Sequence, residues 1–145
     1  MAYVIGNRIV KETDPTLDNR AYGLTLPIKR GNTGYFEQAF TTYQQAKSNL
    51  RNLLATRRGE RIMQPNFGTG LHSILFEPMT DGVFQTKIQD TITQAVSFWL
   101  PYISIREIDI RMTDEMKDRN LAEMNITFSV NNQIETDSVT FLIQG

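Results

Sequence analysis

The sequence predicts an α+β fold: an N-terminal extended arm, two longer helices with a short helix between them, then a small antiparallel sheet of about three strands. Three observations predict it. Apolar residues recur at three- and four-residue steps through two stretches between Phe36 and Trp99, the period of a one-sided helix. From Ile103 onward the period falls to two, the period of a half-buried strand. Helices followed by consecutive strands, rather than alternating with them, give an α+β arrangement. The expected division is an arm over residues 1–34 and a single α+β domain over 35–145.

The arm is broken by Asp14-Pro15, Pro27 and the cluster Gly31-Asn32-Thr33-Gly34, all helix breakers. Leu24, Leu26 and Ile28 alternate with Thr25 and Pro27, a strand-like pattern that Pro27 confines to an edge because it has no amide hydrogen. The other reading of the arm is a loosely packed tail.

The first helix is expected over 36–57, with Phe36, Phe40, Tyr43, Ala46, Leu50, Leu53 and Leu54 on one face and Asn32 or Thr33 as its cap. Arg57 and Arg58 suit the negative end of its dipole, and Gly59 can take the left-handed conformation that ends it. Residues 62–70 read as a loop and 71–76 as a short helix stopped before Pro78. Thr80 or Asp81 starts a third helix whose stripe is Val83, Phe84, Ile88, Ile92, Ala95, Val96 and Trp99, ended by Pro101. The aromatics at Phe36, Phe40, Tyr43, Phe84 and Trp99 are expected in the core.

In the strand region Ile103 and Ile105 share one face, and Ile108, Ile110 and Met112 the other. That phase change near Arg106-Glu107 implies a bulge, or a strand burying both faces in turn. Residues 113–120, with Asp114, Glu115, Lys117, Asp118 and Arg119, read as a solvated loop. Met124, Ile126, Phe128 and Val130 alternate, Asn131-Asn132 offers a turn, and Val139, Phe141 and Ile143 alternate after it, a hairpin signal.

The 145 residues fit one domain with its own core. A net charge of −1 argues against a chain-wide basic footprint for nucleic acid. With no cysteine, disulfides and thiolate metal sites are excluded. The opening MAYVIGNRIVKETD carries no signal-peptide pattern and no apolar stretch is long enough to span a membrane, so a soluble protein made in the cytosol is expected.

The chemistry-bearing candidates lie between Leu53 and Glu77. A glycosidase needs two carboxylates about 5–9 Å apart, and Glu60 and Glu77 are the pair to weigh. Glu60 stands among Arg57, Arg58 and Arg61, where an ion network at the turn is the simpler reading. His72 has neither a second histidine nor a cysteine to build a zinc site with, and Ser73 beside it makes no triad. Gly59, Gly68 and Gly70 lack the Gly-Lys-Ser/Thr ending of a phosphate loop. Phe67, Leu71, Leu75 and Phe76 are expected to pack this segment onto the longer helices. No cofactor, metal or small-molecule substrate is implied.

The same segment reads LL-x-T-R-x-G-x-R, then P-x-FG, then L-x-x-x-LFE, carried by Leu53, Leu54, Thr56, Arg57, Gly59, Arg61, Pro65, Phe67, Gly68, Leu71, Leu75, Phe76 and Glu77. In that order the pattern resembles the small baseplate wedge subunit of contractile phage tails, the gene product twenty-five or lysozyme-like baseplate family, which has a type VI secretion counterpart. The resemblance runs from about Leu50 to the C-terminal strands and fades in the arm. It implies a structural, non-enzymatic part of a virion tail baseplate, made in the host cytoplasm. Its implied partners are core-bundle wedge proteins on the helical side and tail sheath on the sheet, by strand addition, with no nucleic acid or membrane. The strand Val139, Thr140, Phe141, Leu142, Ile143 is the implied sheath-docking strand. Where many relatives have Glu-Pro-Arg after the long helix, this chain has Leu100-Pro101-Tyr102, so only Pro101 matches. Either the partner surface there is apolar, or docking relies on other residues. The alternative function is a peptidoglycan-cleaving tail enzyme using a Glu pair.

Overall fold

The computed structural model describes residues 2–5, 8–11, 21–31, 34–74, 77, 81–119, 121–131 and 134–144. The chain divides into two compact units, Met1–Ser48 and Asn49–Gly145.

The first unit holds two antiparallel ribbons. Strands β1 (Ala2–Ile5) and β2 (Arg8–Lys11) pair from Ala2↔Lys11 to Ile5↔Arg8. Strands β3 (Gly23–Leu24) and β4 (Gln38–Ala39) pair Gly23 with Ala39 and Leu24 with Gln38. The expected alternation through Leu26 and Ile28 therefore stops at Leu24. The Leu26 amide donates instead to Ser48 Oγ at 3.1 Å.

Helix α1 (Thr42–Ala55) starts six residues later than the expected Phe36. The backbone before it is already committed to β4, and a cap forms locally. Thr41 Oγ1 accepts the Gln44 amide at 3.2 Å, while Gln44 Oε1 accepts the Phe40 amide at 3.0 Å, a close variant of the capping box. Phe36 and Phe40 thus lie outside the helix and are solvent-exposed, against the expectation that they line the core. The alternative caps Asn32 and Thr33 fall outside the described residues.

In the second unit, Leu50, Leu53 and Leu54 of α1 are fully buried. Helix α2 (Leu71–Ile74) buries Leu71 and Ile74; Leu75, Phe76, Pro78 and Thr80 lie outside the described residues. Helix α3 (Asp81–Trp99) buries Phe84, Ile88, Ile92, Ala95 and Val96, while Val83 is exposed. Each buried aliphatic or aromatic side chain contributes about 1.5–3 kcal/mol.

Strands β5 (Ile103–Arg111), β6 (Leu121–Val130) and β7 (Asp137–Gln144) form an antiparallel sheet in the order β5-β6-β7. The register slips between Ile105 and Glu107, the bulge that the phase change implies. Its effect is to put both isoleucine pairs on one face. Ile103, Ile105, Ile108 and Ile110 stand opposite Val130, Phe128, Ile126 and Met124, all buried. On the other side Val139, Phe141 and Ile143 face Ile126, Met124 and Ala122. Asn131, at φ 51°, begins the turn after β6; Asn132 lies outside the described residues.

The stretch read as a charged loop contains a short helix, α4 (Asp114–Asp118). Thr113 Oγ1 accepts the Met116 amide at 3.4 Å, a cap that the count of charges in this stretch concealed.

Candidate functional site

The segment after α1 is a closed corner. Ala55 ends the helix, and Thr56 turns back on it through Oγ1 and its amide, both donating to Asn52 O at 2.7 and 3.2 Å. Arg57 and Arg58 therefore follow the helix and do not sit in its last turn. Glu60 Oε2 accepts the Arg57 amide at 2.9 Å, and the Gly59 amide donates to Pro65 O at 2.7 Å. Gly59 takes φ 87°, the left-handed conformation expected of it, but inside this loop and four residues beyond the helix. Gly68, at φ 113°, lies where an added Cβ would stand 2.4 Å from Thr56 O. That close approach lets Thr69 donate its amide to Thr56 O at 3.0 Å and form a bridge with Arg57.

The expected arginine–Glu60 network is not what holds the turn. Among the described residues Glu60 binds a backbone amide, and neither Arg57 nor Arg58 forms an ion pair; all three are exposed. Arg61 differs. Its guanidinium donates to Asn52 Oδ1 at 2.9 Å and lies 3.9 Å from the centroid of Phe67. Phe67 meets Trp99 edge-on at 5.2 Å, and Trp99 meets Phe98 at 4.9 Å. The result is a cation–aromatic stack that ties the loop to the end of α3. Pro65 is exposed and Glu77 pairs with Lys87.

Phe98, Ile62 and Met63 escaped sequence reasoning. They are 75%, 95% and 91% exposed. No periodic signal separates Phe98 from the stripe of α3, since it follows Ala95 by three residues.

The Leu100-Pro101-Tyr102 segment serves the chain itself. Leu100 is buried, and the Tyr102 hydroxyl accepts Asn49 Nδ2 at 2.7 Å. Pro101 alone is exposed.

On the sheet, β7 is an edge strand. Thr140 and Leu142 are exposed, Phe141 is half-buried, and Val139 and Ile143 are buried. The Ser138 amide donates to Asp137 Oδ1 at 2.7 Å, and Gln144 O lies 2.8 Å from His72 Nδ1. A carbonyl only accepts, so Nδ1 carries the proton. Neither group is spent on β6. Peptide groups alternate sideways along an antiparallel strand, so Thr140 and Leu142 between them direct their N–H and C=O to the open edge.

Among the described residues no cluster of acidic, histidine or cysteine side chains could hold a metal ion, and no helix is long and apolar enough to cross a membrane.

The family of baseplate wedge protein gp25 matches residues 43–135. No curated protein matches the chain. Among solved structures, a candidate tail lysozyme from Geobacter sulfurreducens shares 20% identity at a TM-score of 0.61, covering 72% of this chain and 91% of that one. A chain of the anti-feeding prophage baseplate shares 22% identity at 0.61, covering 77% and 86%. A chain of the postcontracted pyocin R2 baseplate shares 16% identity at 0.48, covering 81% and 98%. The first two likenesses are those of the fold. The family match spans the corner, α3 and two strands of the sheet, and on it the chain belongs to the baseplate wedge protein gp25 family, a structural component of contractile tail systems.

Proposed function

We propose that the chain joins the baseplate wedge to the first ring of tail sheath, and that β7 templates the first sheath strand. The open edge at Thr140 and Leu142 carries this reading. It offers main-chain donors and acceptors, bracketed by Ser138 and Gln144, whose edge groups are already engaged within the chain. An added strand satisfies such an edge, and alternate side chains supply its specificity. The 56% exposed Leu142 is the apolar contact available to it. The helical side is then left for neighbouring wedge proteins, placing the chain in the tail baseplate after synthesis in the host cytoplasm. No nucleic acid, membrane or small-molecule substrate enters this role.

Proline at Thr140 removes an edge donor that the isolated chain does not use. Particles carrying Thr140→Pro should incorporate the chain into baseplates yet fail to polymerise sheath. Normal sheath growth on the folded variant would rule out this edge.

The second reading, a peptidoglycan-cleaving enzyme, is motivated by the description of the Geobacter protein. Its candidate acids are occupied otherwise: Glu60 binds the Arg57 amide and Glu77 pairs with Lys87. Release of soluble fragments from peptidoglycan by the purified chain, abolished in Glu60→Gln or Glu77→Gln, would establish that reading over the structural one.

A further inference from the structure

His72 falls at an open place of the L-x-x-x-LFE pattern, so the motif itself gives it no role. On α2 it stands half-buried, between the buried Leu71 and the exposed Ser73, and its Nδ1 donates to Gln144 O at 2.8 Å. Its Nε2 is buried and has no hydrogen-bond partner among the described residues. The ring is therefore committed to one bond, which joins α2 to the last residue of β7, 72 positions away. The regular register of β7 against β6 puts the peptide groups of Gln144 on the same side as those of Ser138, Thr140 and Leu142. The carbonyl that His72 holds is thus one that an added strand would otherwise use.

We propose that His72 is a positioning residue for strand addition: its bond to Gln144 ends the β7 edge and fixes the register of the strand added there. The inference rests on the sheath-docking reading above and deepens it. An antiparallel partner exchanges paired N–H···O bonds at every second residue, so this side of β7 could offer pairs at 138, 140, 142 and 144. The Ser138 amide is spent on Asp137 and the Gln144 carbonyl on His72, which leaves complete pairs at Thr140 and Leu142 alone. Side-chain alternation cannot set this register by itself. A slip of one residue turns every side chain to the other face and is rejected, but a slip of two restores the faces. Only a stop at a definite position separates the two registers. The difference is about 7 Å of strand, the distance by which a docked subunit would be misplaced. At Ser138 the stop is local, made by the preceding side chain. At Gln144 it comes from a separate helix whose Leu71 and Ile74 are buried, so it stands at a fixed place.

The test reads register directly, in particles assembled with the full chain. The chain contains no cysteine, so Ser138→Cys, at an exposed side chain beside the paired positions, marks one point on the edge. A second cysteine is walked through the strand contributed by a cysteine-free sheath protein. A disulfide needs Cβ atoms about 3.5–4.5 Å apart, so partners two residues apart are resolved. With His72 in place one sheath position should give the dominant disulfide. His72→Asn keeps a donor near the place of Nδ1 and should keep that position. His72→Phe keeps a ring and loses the donor. In it a second position, two residues away, should rise about tenfold relative to the first, the weight of one hydrogen bond. A melt of each purified variant sets the baseline, and His72→Leu replaces the phenylalanine variant should that one unfold. The proposal is overturned if the donor-free variant keeps the parental position. It is equally overturned if His72→Asn slips while His72→Phe does not, which would assign the stop to the bulk of the ring. No disulfide at any sheath position, in particles that carry sheath, would sink the docking edge and the stop together; an unchanged register sinks the stop alone.

Discussion

Gly68 and Gly59 sit in one loop and both have positive φ, yet their environments separate two kinds of cost. At Gly59 an added Cβ meets nothing within 4 Å, so alanine brings only backbone strain, of order 1–3 kcal/mol. At Gly68 the same strain is joined by a Cβ 2.4 Å from the Thr56 carbonyl oxygen, against backbone that cannot swing aside. Gly68→Ala should therefore destabilise more than Gly59→Ala in urea unfolding, and equal losses would show that the approach to Thr56 is not tight. Glu60→Ala is the milder change. Its carboxylate is exposed and holds a single amide, so the loss should be about 1 kcal/mol or less; a larger fall in Tm would restore the arginine network to this turn. The motif itself was legible from sequence, and so was the need for a left-handed glycine at 59. The partner of Glu60 was not, because adjacent charges in sequence say nothing about which backbone amide lies nearer.

At the level of elements, the bulge in β5 makes a counter-intuitive prediction about deletions. Ile105 and Ile108 are three apart in sequence but face the same side, because one residue near Arg106 is extra to the ladder. Deleting Arg106 leaves the two isoleucines two apart, in phase on an unbulged strand, and forfeits the bond from Arg106 Nε to Ser129 Oγ. The domain should stay folded, with a loss of about 1–2 kcal/mol. Deleting Asn125 from the central strand should instead unfold it, since half of β6 would turn its apolar set outward. Circular dichroism of the two deletions checks this, and an unfolded Arg106 deletion would mean the bulge itself is needed. The alternation that locates these strands was plain in the sequence. The start of α1 was not: Phe36 and Phe40 fit its spacing, yet Thr41 and Gln44 cap it later, and a periodic pattern carries no information on where a cap interrupts it. The short α4 was hidden similarly, its five residues too few to show a period.

For the whole molecule, the β7 edge makes attachment of sheath separable from entry into the baseplate. Thr140 and Leu142 are exposed on a strand at the margin of its sheet, so a change at the edge leaves the packed face of Val139 and Ile143 in place. Baseplates from Thr140→Pro should therefore contain the chain and lack sheath, and the purified variant should melt with the parent. Quantifying the chain and the sheath protein in purified particles reads each step separately. Chain lost together with sheath, from a variant that melts like the parent, would mean that this edge seats the chain in the baseplate and does not receive sheath.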